Sequence, residues 1–172
     1  MIGDSSRRYG AVTKLFHWGM AVLLLWQFMK FFDRINDGEH WVGQTLVPWH
    51  ISIGVLLASF AILRIVWTVS QRQRRPQPTQ YPALVKSGHL LLYFLLVATP
   101  LSGMLLMVGN GYGLSAFGFT LLERGAEIHW AAAIGQWHSP LAWLFAVIIG
   151  GHVIMAIWHQ LRLRDGTLKR MW

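Results

Sequence analysis

Four stretches, residues 12–32, 48–70, 84–108 and 138–161, are apolar over more than twenty consecutive positions each. A hydrocarbon core about 30 Å thick is crossed by roughly 20 helical residues. Inside it every backbone amide must be bonded within the segment, which a helix achieves on its own. The pattern therefore predicts an all-α, integral membrane four-helix bundle whose main partner is membrane lipid. Composition agrees, since 54% apolar residues and a mean hydropathy of +0.41 exceed what an ordinary soluble domain carries. The first stretch outruns the apolar region of a cleaved signal peptide and lacks a small-x-small site after it, so it is read as a retained helix. The length of 172 residues fits one domain spanning 1–172.

The net charge of +8 is distributed unevenly. Arg7, Arg8, Lys14, Arg64, Arg72, Arg74, Arg75, Lys86, Arg162, Arg164, Lys169 and Arg170 fall on one side of the expected membrane. Lys30, Arg34 and Arg124 fall on the other, among Asp33, Asp37, Glu39, Glu123 and Glu127. The positive-inside rule then puts both termini and the connection between the second and third helices in the cytoplasm. The basic balance is explained by topology, so no nucleic-acid partner is expected.

That cytoplasmic connection, residues 71–82, carries Pro76, Pro78 and Pro82 among charges and reads as an extended linker. The outer connection 109–137 is long for a four-helix bundle. A short helix or re-entrant piece is expected within it, around 114–122, capping the outer end. Pro100 with Gly103 predicts a bend in the third helix. Trp41, Trp49, Trp130, Trp137, Trp158 and Trp172 fall near expected interfaces, where tryptophan anchors a bundle in lipid.

Ionisable groups at membrane depth are costly and tend to mark function, which makes the eight histidines the informative residues. His17, His89, His152 and His159 fall toward the cytoplasmic half, and His40, His50, His129 and His138 toward the outer half. His138 and His152 are fourteen residues apart on one helix, a rise of about 21 Å and a rotation within about 40° of whole turns. They share a face at two depths. By depth His17 matches His152 and His50 matches His138, so each half offers the two imidazoles that a six-coordinate haem iron needs. With no cysteine in the chain, thiolate-held metals and covalently attached haem are excluded, leaving two non-covalent haem b. Gly54, Gly19, Gly150 and Gly151 stand near these ligands, where a flat macrocycle needs close backbone approach and where small residues equally serve helix packing in lipid.

The remaining imidazoles, His89 and His159, are candidates to donate to a quinone carbonyl or a haem propionate at the cytoplasmic end. Arg64 is a candidate for pairing with a propionate or for snorkelling to the interface. His40 and His129 lie in outer connections and are expected to be solvated.

Together these residues resemble the bacterial cytochrome b-561 family, related to the cytochrome b subunits of nickel-iron hydrogenases. The resemblance covers nearly the whole chain. It rests on Arg8-Tyr9-Gly10 and Phe16-His17-Trp18, on His50-Ile51-Ser52-Ile53-Gly54, and on Gly88-His89-Leu90 with Tyr93. In the fourth helix it rests on Trp137-His138 and Gly151-His152 with His159, followed by Asp165-Gly166-Thr167-Leu168-Lys169-Arg170-Met171. The family's axial ligands match His17, His50, His138 and His152. The resemblance implies an electron carrier of the bacterial cytoplasmic (inner) membrane that exchanges electrons between a periplasmic reductant and ubiquinone. In some members it implies superoxide oxidation, for which Lys30, Arg34 and Arg124 would have to steer the anion. Two other classes compete: a membrane-anchor subunit relaying electrons from a separate periplasmic redox partner, and a metal or proton transporter. A transporter needs a polar path, and the scarcity of intramembrane acids argues against it.

Overall fold

The computed structural model describes residues 1–77, 81–164 and 166–171. Expectations that fell on Pro78, Asp165 and Trp172 lie outside the described residues. Four segments are long and apolar enough to span a membrane: Ala11–Arg34, Trp41–Ser70, Pro82–Gly109 and His129–Leu163. In the first, helix α1 (Ala11–Phe28) tightens into a 3-10 turn over Met29–Arg34. The second joins the short α2 (Trp41–Thr45) to α3 (His50–Ser70) through a 3-10 turn at Val47–Trp49, where Pro48 has no N–H to give. The third is α4 (Pro82–Gly109), which begins on a proline as helices tolerate and continues through Pro100. The fourth breaks at residues 136–137 into α5 (His129–Gly135) and α6 (His138–Trp158), then widens into a π-helix at His159–Leu163.

Among the long helices, close backbone approach joins α1 to α3, α3 to α4 and α4 to α6. The small interior core is Met20, Ile53, Leu57, Ala61, Leu95, Leu96 and Phe145. Residues such as Val22, Ile62, Phe94, Val147 and Ile154 stay exposed on the outside, because in lipid the outer face has no reason to be polar. Across the remaining side of the bundle α1 and the 3-10 turn that follows it meet α6 through rings. Phe31 stacks on Trp143 with centroids 4.1 Å apart, and Phe28 meets Phe145 edge-on at 6.2 Å.

Both chain ends meet at one end of the bundle. Tyr9 N–H donates to the Arg170 carbonyl and Trp18 Nε1 to that of Met171. The segment before α1 is folded around buried Asp4, whose Oδ1 accepts from Gly10 N (2.8 Å) and Thr13 Oγ1 (2.7 Å). Asp4 N–H donates in turn to the Gln71 amide oxygen at 3.2 Å, which brings the end of α3 to the same place.

At the opposite end the segment 114–122, expected as a short helix or re-entrant piece, is a β-hairpin. β1 (Leu114–Ala116) pairs antiparallel with β2 (Phe119–Leu122), with Ala116 opposite Phe119, Ser115 opposite Thr120 and an irregularity after Leu114. Phe117 and Gly118 both have positive φ, 52° and 83°, the conformation of a two-residue hairpin turn with the twist that strands require. The Phe-Gly pair at the middle of an apolar run was the turn signal. The hairpin rests on the start of α3, where Phe117 N–H donates to Ser52 Oγ and its ring lies 6.3 Å from Trp49. The helical piece of this connection comes later, as α5. It lies directly on α4 because Gly109 and Gly135 let backbone meet backbone: a Cβ at Gly109 would stand 2.2 Å from Ala132 N.

Candidate functional site

At the hairpin end, His50 opens α3 and His138 opens α6, with ring centres 5.9 Å apart and planes at 74°. The His138 ring is held from two sides. Its Nδ1 lies 2.8 Å from the carbonyl of Thr99 on α4, and a carbonyl can only accept, so Nδ1 carries the proton and Nε2 keeps its lone pair. The ring lies flat on α4 at Gly103, where a Cβ would come within 2.9 Å of Cε1. His50 is fixed by its backbone instead: the Gln27 side-chain amide on α1 donates to the His50 carbonyl at 2.9 Å. The amide fits because residue 54 is glycine, whose added Cβ would stand 3.1 Å from Gln27 Nε2. Gly54 thus makes room for Gln27. Three buried polar atoms here have no partner, His50 Nδ1, Gln27 Oε1 and Thr99 Oγ1.

At the terminal end, the rings of His17 on α1 and His152 on α6 are 6.3 Å apart at 64°. His89 of α4 is also 5.7 Å from His152, so three imidazoles gather where two were paired by sequence. His89 Nδ1 is 2.7 Å from the Val85 carbonyl and is therefore protonated, leaving Nε2 free. Arg64 sits inside this group, half-buried, with its guanidinium 3.4 Å from His17 Nδ1 and 5.5 Å from the centre of the Tyr93 ring. The Tyr93 hydroxyl is bonded to Thr68 at 3.0 Å. No carboxylate pairs with Arg64 among the described residues; the described salt bridge, Lys30 with Asp33, is at the other end. About two turns beyond His152, buried His159 begins the π-helix, and Oε1 of the adjacent Gln160 is buried without a partner. His129 is exposed, as expected. His40, in the outer connection and partly exposed, also caps α2, accepting from Gly43 N at Nδ1 and donating from Nε2 to the Phe32 carbonyl.

Both imidazole pairs fit a six-coordinate haem iron. Two rings that share one metal through bonds of about 2 Å have centres roughly 6 Å apart, once the distance from nitrogen to ring centre is added on each side. The pairs at 5.9 and 6.3 Å meet that requirement. Next to the terminal pair, a Cβ at Gly19, Gly150 or Gly151 would meet nothing within 4 Å, which leaves smooth backbone for a flat group to lie against. Gln27 and Thr99 contribute to the site although the sequence reading did not single them out. Their signal was the one the histidines gave, a polar side chain inside an apolar span.

The model of a family described as prokaryotic cytochrome b561 matches residues 8–172. The chain belongs to that family. This cytochrome is accordingly a bacterial membrane protein of electron transport, and the cofactor its family implies is b-type haem. It is 34% identical to a protein named Cytochrome b561 homolog 2 from Escherichia coli (strain K12), over 98% of the chain and 93% of the relative. It is 25% identical to one named Probable superoxide oxidase CybB from Yersinia pestis, over 96% of each.

Proposed function

We propose that the cytochrome acts as a single unit over residues 1–172, holds two haem b groups, and passes electrons between a periplasmic reductant and ubiquinone in the bacterial inner membrane. His50 with His138 would ligate one haem and His17 with His152 the other. The observation that carries this reading is the pair of imidazole couples at metal-sharing distance, both anchored on α6. When bound, haem b supplies one-electron iron chemistry. The residues supply orientation: the Thr99 carbonyl holds the Nδ1 proton of His138, leaving the Nε2 lone pair as the one that would ligate iron. His17 rather than His89 is assigned to the second iron because His17 is half-buried on α1 across from α6, whereas His89 is exposed on α4. Ligation through Nε2 of His17 requires a proton on Nδ1, where Arg64 now donates. The guanidinium must then turn to an anion; no carboxylate pairs with it among the described residues, and a haem propionate would supply one.

The charge distribution supports a cytoplasmic location for the end where the termini meet. Ubiquinone is assigned there, beside the His17–His152 site. Buried His159, the unpaired Gln160 amide oxygen and His89 offer hydrogen bonds, and π-turns recur at functional sites. A pyridine haemochrome assay on purified protein should return two haems per chain. His50→Ala and His138→Ala should remove one and the same haem, and His17→Ala the other; loss of one common haem in all three variants would refute the pairing. Quinol-driven haem reduction should slow in His89→Ala and His159→Ala while both haems remain. Unchanged kinetics in both would exclude this quinone site.

The name of the Yersinia pestis relative favours a second reading in which superoxide is the reductant. Lys30 is tied to Asp33, so steering of the anion falls to exposed Arg34 and Arg124. Superoxide-driven reduction should then lose its salt dependence in the Arg34→Gln/Arg124→Gln double variant. A membrane-anchor role would instead be marked by a redox partner that co-purifies and without which the haems are not reduced.

A further inference from the structure

The two histidines at the hairpin end differ in how their Nδ1 is treated. That of His138 has an acceptor, the Thr99 carbonyl at 2.8 Å. That of His50 is buried and has none in hydrogen-bonding geometry, although the Gln27 backbone also lies near the ring. A buried N–H left unpaired is costly, and a metal-bound imidazole nearly always donates its other N–H to an acceptor that fixes its tautomer and raises its basicity. An acceptor in the same condition is close by. Gln27 Oε1 is buried and unpaired, on an amide whose nitrogen already holds the His50 carbonyl at 2.9 Å. The amide is kept at that place by Gly54, the residue one turn along α3.

We infer that Gln27 is a positioning residue for His50: its amide nitrogen binds the His50 carbonyl, and its Oε1 accepts the Nδ1 proton once the ring turns to ligate. Nε2 then presents its lone pair toward His138. The α1–α3 contact thereby sets the electron-donating strength of one axial ligand, as the α4–α6 contact does for the other. The inference rests on the reading that His50 and His138 share a haem iron.

The sign of the effect follows from charge. An acceptor at Nδ1 makes the imidazole a stronger donor and favours ferric over ferrous iron, so its loss favours the reduced haem. Purified protein with both haems, its Gln27→Leu variant and its Gln27→Glu variant would be titrated potentiometrically. The haem concerned is identified as the one missing from His138→Ala. Gln27→Leu should shift its reduction equilibrium about tenfold toward the ferrous state, equal to about 59 mV for one electron, and should speed its dissociation about tenfold or more. The other haem serves as the internal control and should not move. Gln27→Glu removes the amide donor but keeps an acceptor, so it should show no shift toward the ferrous state.

If Gln27→Glu behaves as Gln27→Leu does, the bond to the His50 carbonyl is what matters and the inference is wrong. It is equally wrong if Gln27→Leu keeps the haem at an unchanged potential, because the Gln27 backbone, which also lies near the His50 ring, would then hold the proton. Wild-type protein with fewer than two haems would refute the underlying ligation instead, a result distinguishable from both.

Discussion

Substituting Gly103 by alanine tests whether the His138 ring is held in place by the surface of α4. The added methyl would lie 2.9 Å from Cε1 and 3.0 Å from Nδ1 of His138, where carbon contacts ordinarily settle near 3.5–4 Å. The ring must retreat by several tenths of an ångström at least, away from the Thr99 carbonyl that it bonds at 2.8 Å. Overpacking of this kind costs about 1–3 kcal/mol, and a weakened hydrogen bond adds about 1 kcal/mol. At 1.4 kcal/mol per factor of ten, the sum of about 2–4 kcal/mol predicts affinity for one haem lower by a factor of roughly 30 to 700. The other haem should remain, since its proposed ligands lie about 21 Å away along α6. The assay is the haem-to-protein ratio with reduced-minus-oxidised spectra of the purified variant, followed by the rate of haem transfer to an apo-globin acceptor. Gly125→Ala, at a position with nothing within 4 Å, is the control and should be neutral. Two haems retained in Gly103→Ala with wild-type dissociation rates would refute the reasoning.

Three further outcomes follow from the same structure. Gly151→Leu fills space that no protein atom occupies within 4 Å; it should expel the haem next to His152 while leaving the fold intact by circular dichroism, whereas full haem content would place Gly151 against lipid. Asp4→Ala removes a carboxylate that accepts from Gly10 N and Thr13 Oγ1, and should lower stability by about 2–4 kcal/mol, read as a lower midpoint of thermal unfolding in detergent. Burial raises the Tyr9 phenol above its usual value, with the Asp4 charge acting in the same direction against Arg75 and Arg170. Its neutral form is therefore favoured in the folded state, and stability present below about pH 10 is lost as pH rises through the folded pKa; Tyr9→Phe should flatten that alkaline decline in unfolding scans.

The membrane spans and their four histidines were legible because each rests on one physical rule, the cost of polar groups in hydrocarbon, applied to side chains whose depth follows from counting. Residues 114–122 were misread because an apolar run surrounding a Phe-Gly turn carries the same hydropathy whether it is helix or hairpin. Only the positive φ at Phe117 and Gly118 separates the two. His89 was placed at the right depth but not recognised as a neighbour of His152. Depth along a helix is fixed by sequence, whereas the rotation that brings α4 toward α6 is decided by packing. The same limit hid Gln27, whose partner on α3 is set by a tertiary contact rather than by spacing, and the part Gly54 plays in making room for that contact.

Because His138 and His152 sit on the uninterrupted helix α6, the interval between the two sites behaves as a ruler with coarse graduations. Inserting one residue between them would turn one imidazole by about 100° relative to the other and lengthen the interval by only 1.5 Å. Substitutions along α6 can change what lies between the sites but not their separation. Length can vary only in near-whole-turn steps of three or four residues, each moving one site about 4.5–6 Å with respect to the other. Chains built on this plan should therefore tolerate insertions readily in the connections outside α6, and between the two histidines only in such steps.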